Sequence, residues 1–420
     1  MMTQAFYTGI SGLKTNSFGI DVISDNLANI DTVGFRGNNY EFSSLFENMM
    51  ATGSAKSSVN SSVGVGVDLQ ATTLDLSTGV PILSDRGTDL AILGDGWFGV
   101  QGEGAPIYTR DGAFTFDKND DLVTVDGYHV LGTMGGNING ETLTSQLAEV
   151  KLGDVNSVEK LRFPKTLTYP PIPTQNAKFL GNLGTDVGVK TMSAGVVDPQ
   201  SNKNDLRLEF TKSAVQTPPG TQWDVVAQTK SLDGTTIYDT QTGMASFDSS
   251  GALLSTTLTT IDNNGTPVKI DLGNGFDGVT AITNLPVSAS SIADGTIGGD
   301  LRGYDINKNG EVIATFTNGL QSSVGKVAVF HFQNDQGLDR LNGSRFKESS
   351  NSGKAFFFKD ANGQNILGTD ITNFKLEGSN VAMSSGLTEL IILQRAYDAN
   401  SKSVTTADQM IQKALNMDAK

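Results

Sequence analysis

Apolar residues recur at every seventh position at both ends of this chain, and hardly anywhere between. Phe6, Leu13, Ile20 and Leu27 keep that interval, and Ile10, Ile23 and Ile30 fill the three- and four-residue offsets of one helical face. Leu390, Tyr397, Val404 and Ile411 repeat the pattern near the other end, flanked by Leu387, Ile391 and Leu415. The spacing predicts one amphipathic helix at each end. With nothing helical beside either in sequence, the two are expected to form a coiled-coil pair with each other and to pack against copies of the chain. The eight heptad residues are the candidate seam of an assembly.

The first helix is weak by intrinsic propensity. Gly9, Gly12 and Gly19 each cost about 1 kcal/mol relative to Ala in a helix interior, and Thr8, Ser11, Thr15, Asn16 and Ser17 add smaller penalties. It is expected not to stand alone in water, and both ends are expected to order only on assembly. A surface helix packed on its own domain is the plainer alternative. The narrow stripe, sustained over four heptad steps, suits a bundle seam better than a broad globular face.

Between the ends the pattern changes to short strands and turns. Ser43 to Ser62 is a loose run of small polar residues that reads as a linker or long loop. From Val63 onward, runs such as 64–69, 89–93, 97–100 and 122–125 are separated by Asp-Gly, Gly-Asp-Gly and Lys-Asn-Asp-Asp turns, which predicts an antiparallel β-domain. Tyr169-Pro170-Pro171-Ile172-Pro173 marks a boundary, because proline fixes φ and cannot join a central strand. Runs at 223–226, 253–256, 268–272 and 279–282 predict a second β-domain, and strands at 310–316 and 327–332 complete the first. The expected fold is mainly β with terminal α-helices. A helical domain takes 1–37 and 386–420, linkers take 38–75 and 370–385, a first β-domain takes 76–160 and 295–369, and an outer one takes 161–294, nested inside it.

Composition narrows the function. Forty-eight glycines with few charges favour β-structure with tight turns. The formal charge of −15 falls almost wholly on the body, since residues 1–37 hold two basic and three acidic side chains and 386–420 hold four of each. An acidic body argues against a nucleic-acid partner, and near-neutral ends can pack without long-range repulsion. The chain has no cysteine, so disulfides, thiolate catalysis and Cys-based metal sites are excluded. No apolar run is long enough for membrane insertion, and residues 1–6 lack the basic and apolar regions of a cleaved signal peptide.

Several motifs imitate chemistry. Gly94-Asp95-Gly96-Trp97-Phe98-Gly99 has the spacing of a dinucleotide loop, but no helix follows to hold a pyrophosphate, and a hairpin turn accounts for it. Asp305 to Gly310 opens like a calcium loop, yet its twelfth position is Phe316 where a bidentate Glu is required. His129 and His331, the two histidines, sit in strand-like runs. Carboxylate pairs are not distinguishable from turn residues. No catalytic residue, cofactor or metal is expected, and the chain reads as a structural protein rather than an enzyme.

Three groups of residues resemble a known family. Ser11-Gly12-Leu13, Asp21-Val22-Ile23-Ser24-Asp25-Asn26-Leu27-Ala28-Asn29 and Thr32-Val33-Gly34-Phe35-Arg36 look like the N-terminal signature of bacterial flagellar rod and hook proteins. Residues 89–98 with Tyr108-Thr109-Arg110-Asp111-Gly112-Ala113-Phe114 resemble the family's first β-domain motif. Leu376-Glu377-Gly378-Ser379-Asn380-Val381 with residues 393–402 resemble its C-terminal signature. The resemblance implies a homopolymer, a helical tube outside the cell, exported unfolded through the flagellar type III apparatus and assembled beneath a hook cap between rod and hook–filament junction proteins. Rod proteins of the family lack a large second β-domain, so the stretch after the proline hinge favours a hook subunit; a rod subunit and a secreted β-rich adhesin are the alternatives. Ala382-Met383 and Gly386 depart from the family pattern at the start of the second helix, where Ser384 or Ser385 is the expected cap.

Overall fold

The computed structural model describes residues 2–48 and 62–418. Helix α1 spans Met2–Ala28 and helix α2 spans Met383–Asp418. They pack along each other, and the described chain between them is strand and turn, with single 3-10 turns at Val155–Ser157 and Asp335–Gly337. Helix α2 starts three residues before the expected boundary at 386. Ser384 and Ser385 therefore lie inside it, and the Ser385 hydroxyl donates to the Ala382 carbonyl instead of capping.

The segment expected as a linker departs most from the sequence reading. Strands β1 (Asn38–Asn48) and β2 (Ser62–Leu74) form a long antiparallel ribbon that lies on α1. Run 64–69, assigned above to the first β-domain, is part of this ribbon; residues 49–61 of the loose stretch fall outside the described residues. The ribbon also gives α1 a neighbour within its own chain. The Ser11 hydroxyl accepts the Val67 amide at 3.3 Å, and the Thr15 hydroxyl donates to Ser11 O at 2.8 Å and reaches Val67 O at 3.3 Å. The helices are thus not without intramolecular partners.

Two separate cores follow. The first runs through a large antiparallel sheet in which Gly299–Ile306, Glu311–Phe316, Gln321–Val327, His129–Met134 and Trp97–Gln101 are successive neighbours. Phe98, Phe114, Phe316, Phe330 and Phe346 are fully buried in it. Full burial of one such side chain stabilises by roughly 1.5–3 kcal/mol. The second core lies between a five-stranded meander, from Lys190–Val197 to Leu253–Thr256, and a six-stranded sheet built on Asn176–Asn182. In strand Lys203–Lys212 every second residue points inward, Asn204, Leu206, Leu208 and Phe210, the period of a strand with one buried face.

The chain crosses between the cores twice, side by side. Ile172 and Thr296 exchange both backbone hydrogen bonds at 2.8 Å, with prolines 170, 171 and 173 on one strand and glycines 295, 298 and 299 on the other.

Asp and Asn side chains are consumed in turns. In five loops, 117–121, 198–202, 248–252, 307–311 and 360–364, the first side chain accepts the backbone amides two and four residues on, and the fourth residue has positive φ. Such side-chain mimicry of a backbone turn explains the calcium-loop look-alike. The Gly94–Gly96 turn is not a hairpin: strand Leu90–Leu93 pairs with Asp370–Asn373, whereas Trp97–Gln101 pairs with Ile107–Thr109 and His129–Met134. It carries the chain from one sheet to another.

Candidate assembly surface and its joint to the body

The face of α1 that meets α2 is made of small residues. Gly9, Gly12 and Gly19 are buried there, and a Cβ at Gly9 would come within 2.6 Å of Val404 Cγ2, one at Gly12 within 2.6 Å of Asn400 Nδ2, and one at Gly19 within 3.0 Å of Leu393. From the other side, a Cβ on Gly386 would come within 2.5 Å of Leu27. Absent side chains let the backbones approach, so the glycines that weaken α1 alone are what admits α2.

The expected seam residues flank this stripe. Phe6, Leu13, Ile20, Leu27, Leu390, Val404 and Ile411 are half-buried, and Tyr397 is 39% exposed. The structure gathers the two heptad sets along one helix pair, with Leu27, Leu393 and Val404 packed inside the subunit. A second apolar set is left open: Tyr7 and Phe18 on α1, and Leu387, Ile391 and Ile392 on α2. Leu13, Lys14, Ser17, Phe18, Asp21 and Tyr397 line a groove of about 350 Å³. No helix among the described residues is long and apolar enough to cross a membrane.

The pair is fixed to the body by polar contacts that periodicity does not reveal. Asn26 Nδ2 donates to Asn38 O at 2.8 Å, and its Oδ1 accepts the Asn38 amide at 2.9 Å. Asn380 accepts the Gly37 amide at 2.8 Å and donates to Asp75 O and Ser77 O. At the centre, Glu377 receives Arg36 at 2.9 Å and Arg110 at 3.1 Å, all three side chains 2–3% exposed. Arg36 also donates to Leu76 O at 3.0 Å and Arg110 to Gly94 O at 2.6 Å, while Arg110 Nε has no acceptor among the described residues. Burial pushes Arg110 down to about 10, against the pull of Glu377 and with the push of Arg36; burial lowers Arg36 as well. Removing one partner of such a buried cluster costs about 3–5 kcal/mol. Gly34, at φ +65, leaves room for the Arg110 backbone, which a Cβ would overlap.

Among the described residues, neither histidine sits in a cluster of metal-ligating side chains. His129 Nδ1 lies 3.4 Å from Asp121, and His331 is buried with Nε2 2.6 Å from Leu367 O.

A helix pair with exposed apolar flanks, tied by a buried ion cluster to a β-body, is an architecture suited to a self-assembling axial subunit. Residues 6–36 match the family described as flagella basal body rod protein, 91–157 the flagellar hook protein FlgE/F/G D1 domain, and 374–417 the flagellar basal body rod FlgEFG protein C-terminal family. The chain is similar to flagellar hook protein FlgE of Escherichia coli, at 28% identity over 99% of this chain and 100% of that protein. It is likewise similar to FlgE of Borreliella burgdorferi, at 25% identity over 99% and 100%, and of Brucella suis biovar 1, at 29% over 98% of each. The crystal structure of Helicobacter pylori flagellar hook protein FlgE2 superposes with a TM-score of 0.54 at 16% identity, covering 70% of this chain and 100% of that one, a likeness of fold. Three flagellar rod and hook family models thus match the start, the first β-domain and the end of the chain, and flagellar hook proteins match it along nearly its whole length.

Proposed function

We propose that this chain is the structural subunit of the bacterial flagellar hook, a flexible helical tube that passes torque from rod to filament. The observation that carries this reading is end-to-end similarity to hook proteins, which takes in the unit at 174–296 as well as the terminal signatures. In the tube, α1 and α2 form the inner layer, the first β-domain the middle and the second the outside. Cohesion resides in the helices, through Tyr7, Phe18, Leu387, Ile391 and Tyr397 set against neighbouring copies. The β-units, rich in Thr, Ser, Asn and Gly, slide over small polar contacts as the curved tube turns. Its partners are further copies, the rod, the hook–filament junction proteins, the hook cap and the flagellar type III export apparatus, and its place is outside the cell.

Electron microscopy of polymers from the purified protein tests the reading. Curved tubes, with loss of the hook and recovery on re-expression in a strain lacking the gene, support it. Straight rigid rods would instead support a rod subunit.

A further inference from the structure

Arg36, Arg110 and Glu377 come from three remote parts of the chain, and each lies in a different one of the three family-matched segments. We propose that Glu377 makes docking of the first chain end onto the body conditional on arrival of the last. Without residues 375–380, Arg36 and Arg110 would be two buried guanidiniums sharing a site with no carboxylate in ion-pair contact, a like-charge arrangement that favours separation into water. Asp95, Asp75 and Asp335 act only from beyond salt-bridge distance.

Glu377 also answers two backbone amides. Its carbonyl accepts Gly34 N–H at 2.7 Å and its Oε1 accepts Gly79 N–H at 3.0 Å. A chain lacking its final segment therefore keeps the elbow at 34–37 off the body, and α1 with it. Premature one-ended docking is disfavoured, and the orientation of the helix pair is set when both ends are present. The inference deepens the assembly reading, but its first readout is on the isolated subunit.

Hydrogen exchange on the full-length monomer tests it. In Glu377→Gln, amides at 34–37 and 76–80 should exchange at least about tenfold faster, while those at 97–101 and 323–330 keep their rates. Adding Arg36→Met to Glu377→Gln restores the wild-type net charge of the cluster and should bring exchange back to within about threefold of wild type. Glu377→Asp, which keeps the charge, should stay close to wild type. Unchanged exchange in Glu377→Gln overturns the proposal, as does failure of Arg36→Met to rescue, or equal damage from Glu377→Asp. Polymerisation should be lost and regained in the same order. If exchange follows the expected pattern but the wild-type protein forms no tubes, the assembly reading fails and the coupling stands.

Discussion

Gly9 lies against Val404 so closely that a single added carbon would come within 2.6 Å of Val404 Cγ2, and the same is true of Gly12 with Asn400 Nδ2. Gly12→Leu should therefore weaken the helix pair by about 1–3 kcal/mol through overpacking, outweighing the roughly 1 kcal/mol gained in helix propensity. Circular dichroism melts of the monomer read this as earlier loss of helix with the β-signal unmoved. A more stable helix signal in the variant would show that α1 and α2 do not meet along this stripe in solution.

Two charge insertions separate contacts within a subunit from contacts between subunits. Val404→Asp places a carboxylate against α1 and should cost the monomer about 1–3 kcal/mol or more in helix-pair stability. Ile391, 57% exposed in the monomer, should change monomer stability by less than about 0.5 kcal/mol as Asp, yet block polymerisation. Tubes formed normally by Ile391→Asp would remove this flank from the assembly surface.

Acid should act on the body through His331. The ring is buried against Phe358 and its Nε2 donates to Leu367 O; burial pulls it below the ordinary 6.5, a pull only partly offset by that bond and by Asp335 and Asp95, while Arg110 adds to it. The unfolded chain thus takes up the proton first. Stability is full above pH 6.5, falls as pH drops toward the lower folded value, and levels beneath it. Urea midpoints at pH 7.5 and 5.5 measure the drop, and His331→Gln should flatten it. An equal drop in that variant would assign the effect to other groups.

The unit at 174–296 is predicted to fold alone. Trp223 is fully buried in its core and is the one tryptophan it contains. The excised piece should show blue-shifted tryptophan emission and one cooperative thermal transition. The remaining chain, closed by a short linker between Pro173 and Ile297, should keep its β-body and still form tubes of altered curvature. A disordered fragment together with an aggregating remainder would mean that the two cores depend on each other.

The terminal helices and the proline boundary were legible because their signals are local: heptads, and prolines at 170, 171 and 173. The ribbon was not, because its strands flank a loose run of small polar residues, and the extra residues Gln70 and Val65 of β2, opposite Glu41/Phe42 and Leu45/Phe46, break the strand alternation there. Gly9 and Gly12 read as weaknesses because a glycine in sequence shows only a missing side chain. What makes it useful is the residue that crosses opposite, nearly the whole chain away. The ion cluster is hidden for the same reason. Arg36, Arg110 and Glu377 share no spacing, and each alone looks like a surface charge. Asn26 and Asn380 stood inside recognised motifs without any sign that their amides would bind backbone across the joint.

The paired crossing at Ile172 and Thr296 has a consequence for how such a protein changes over generations. Because the chain leaves and re-enters the body at adjacent points, whatever lies beyond them is a cassette. Its length can grow, shrink or be exchanged without altering the distance between the two ends that must meet. In the proposed tube, girth and surface chemistry outside can therefore drift with habitat, while the bore within keeps one gauge.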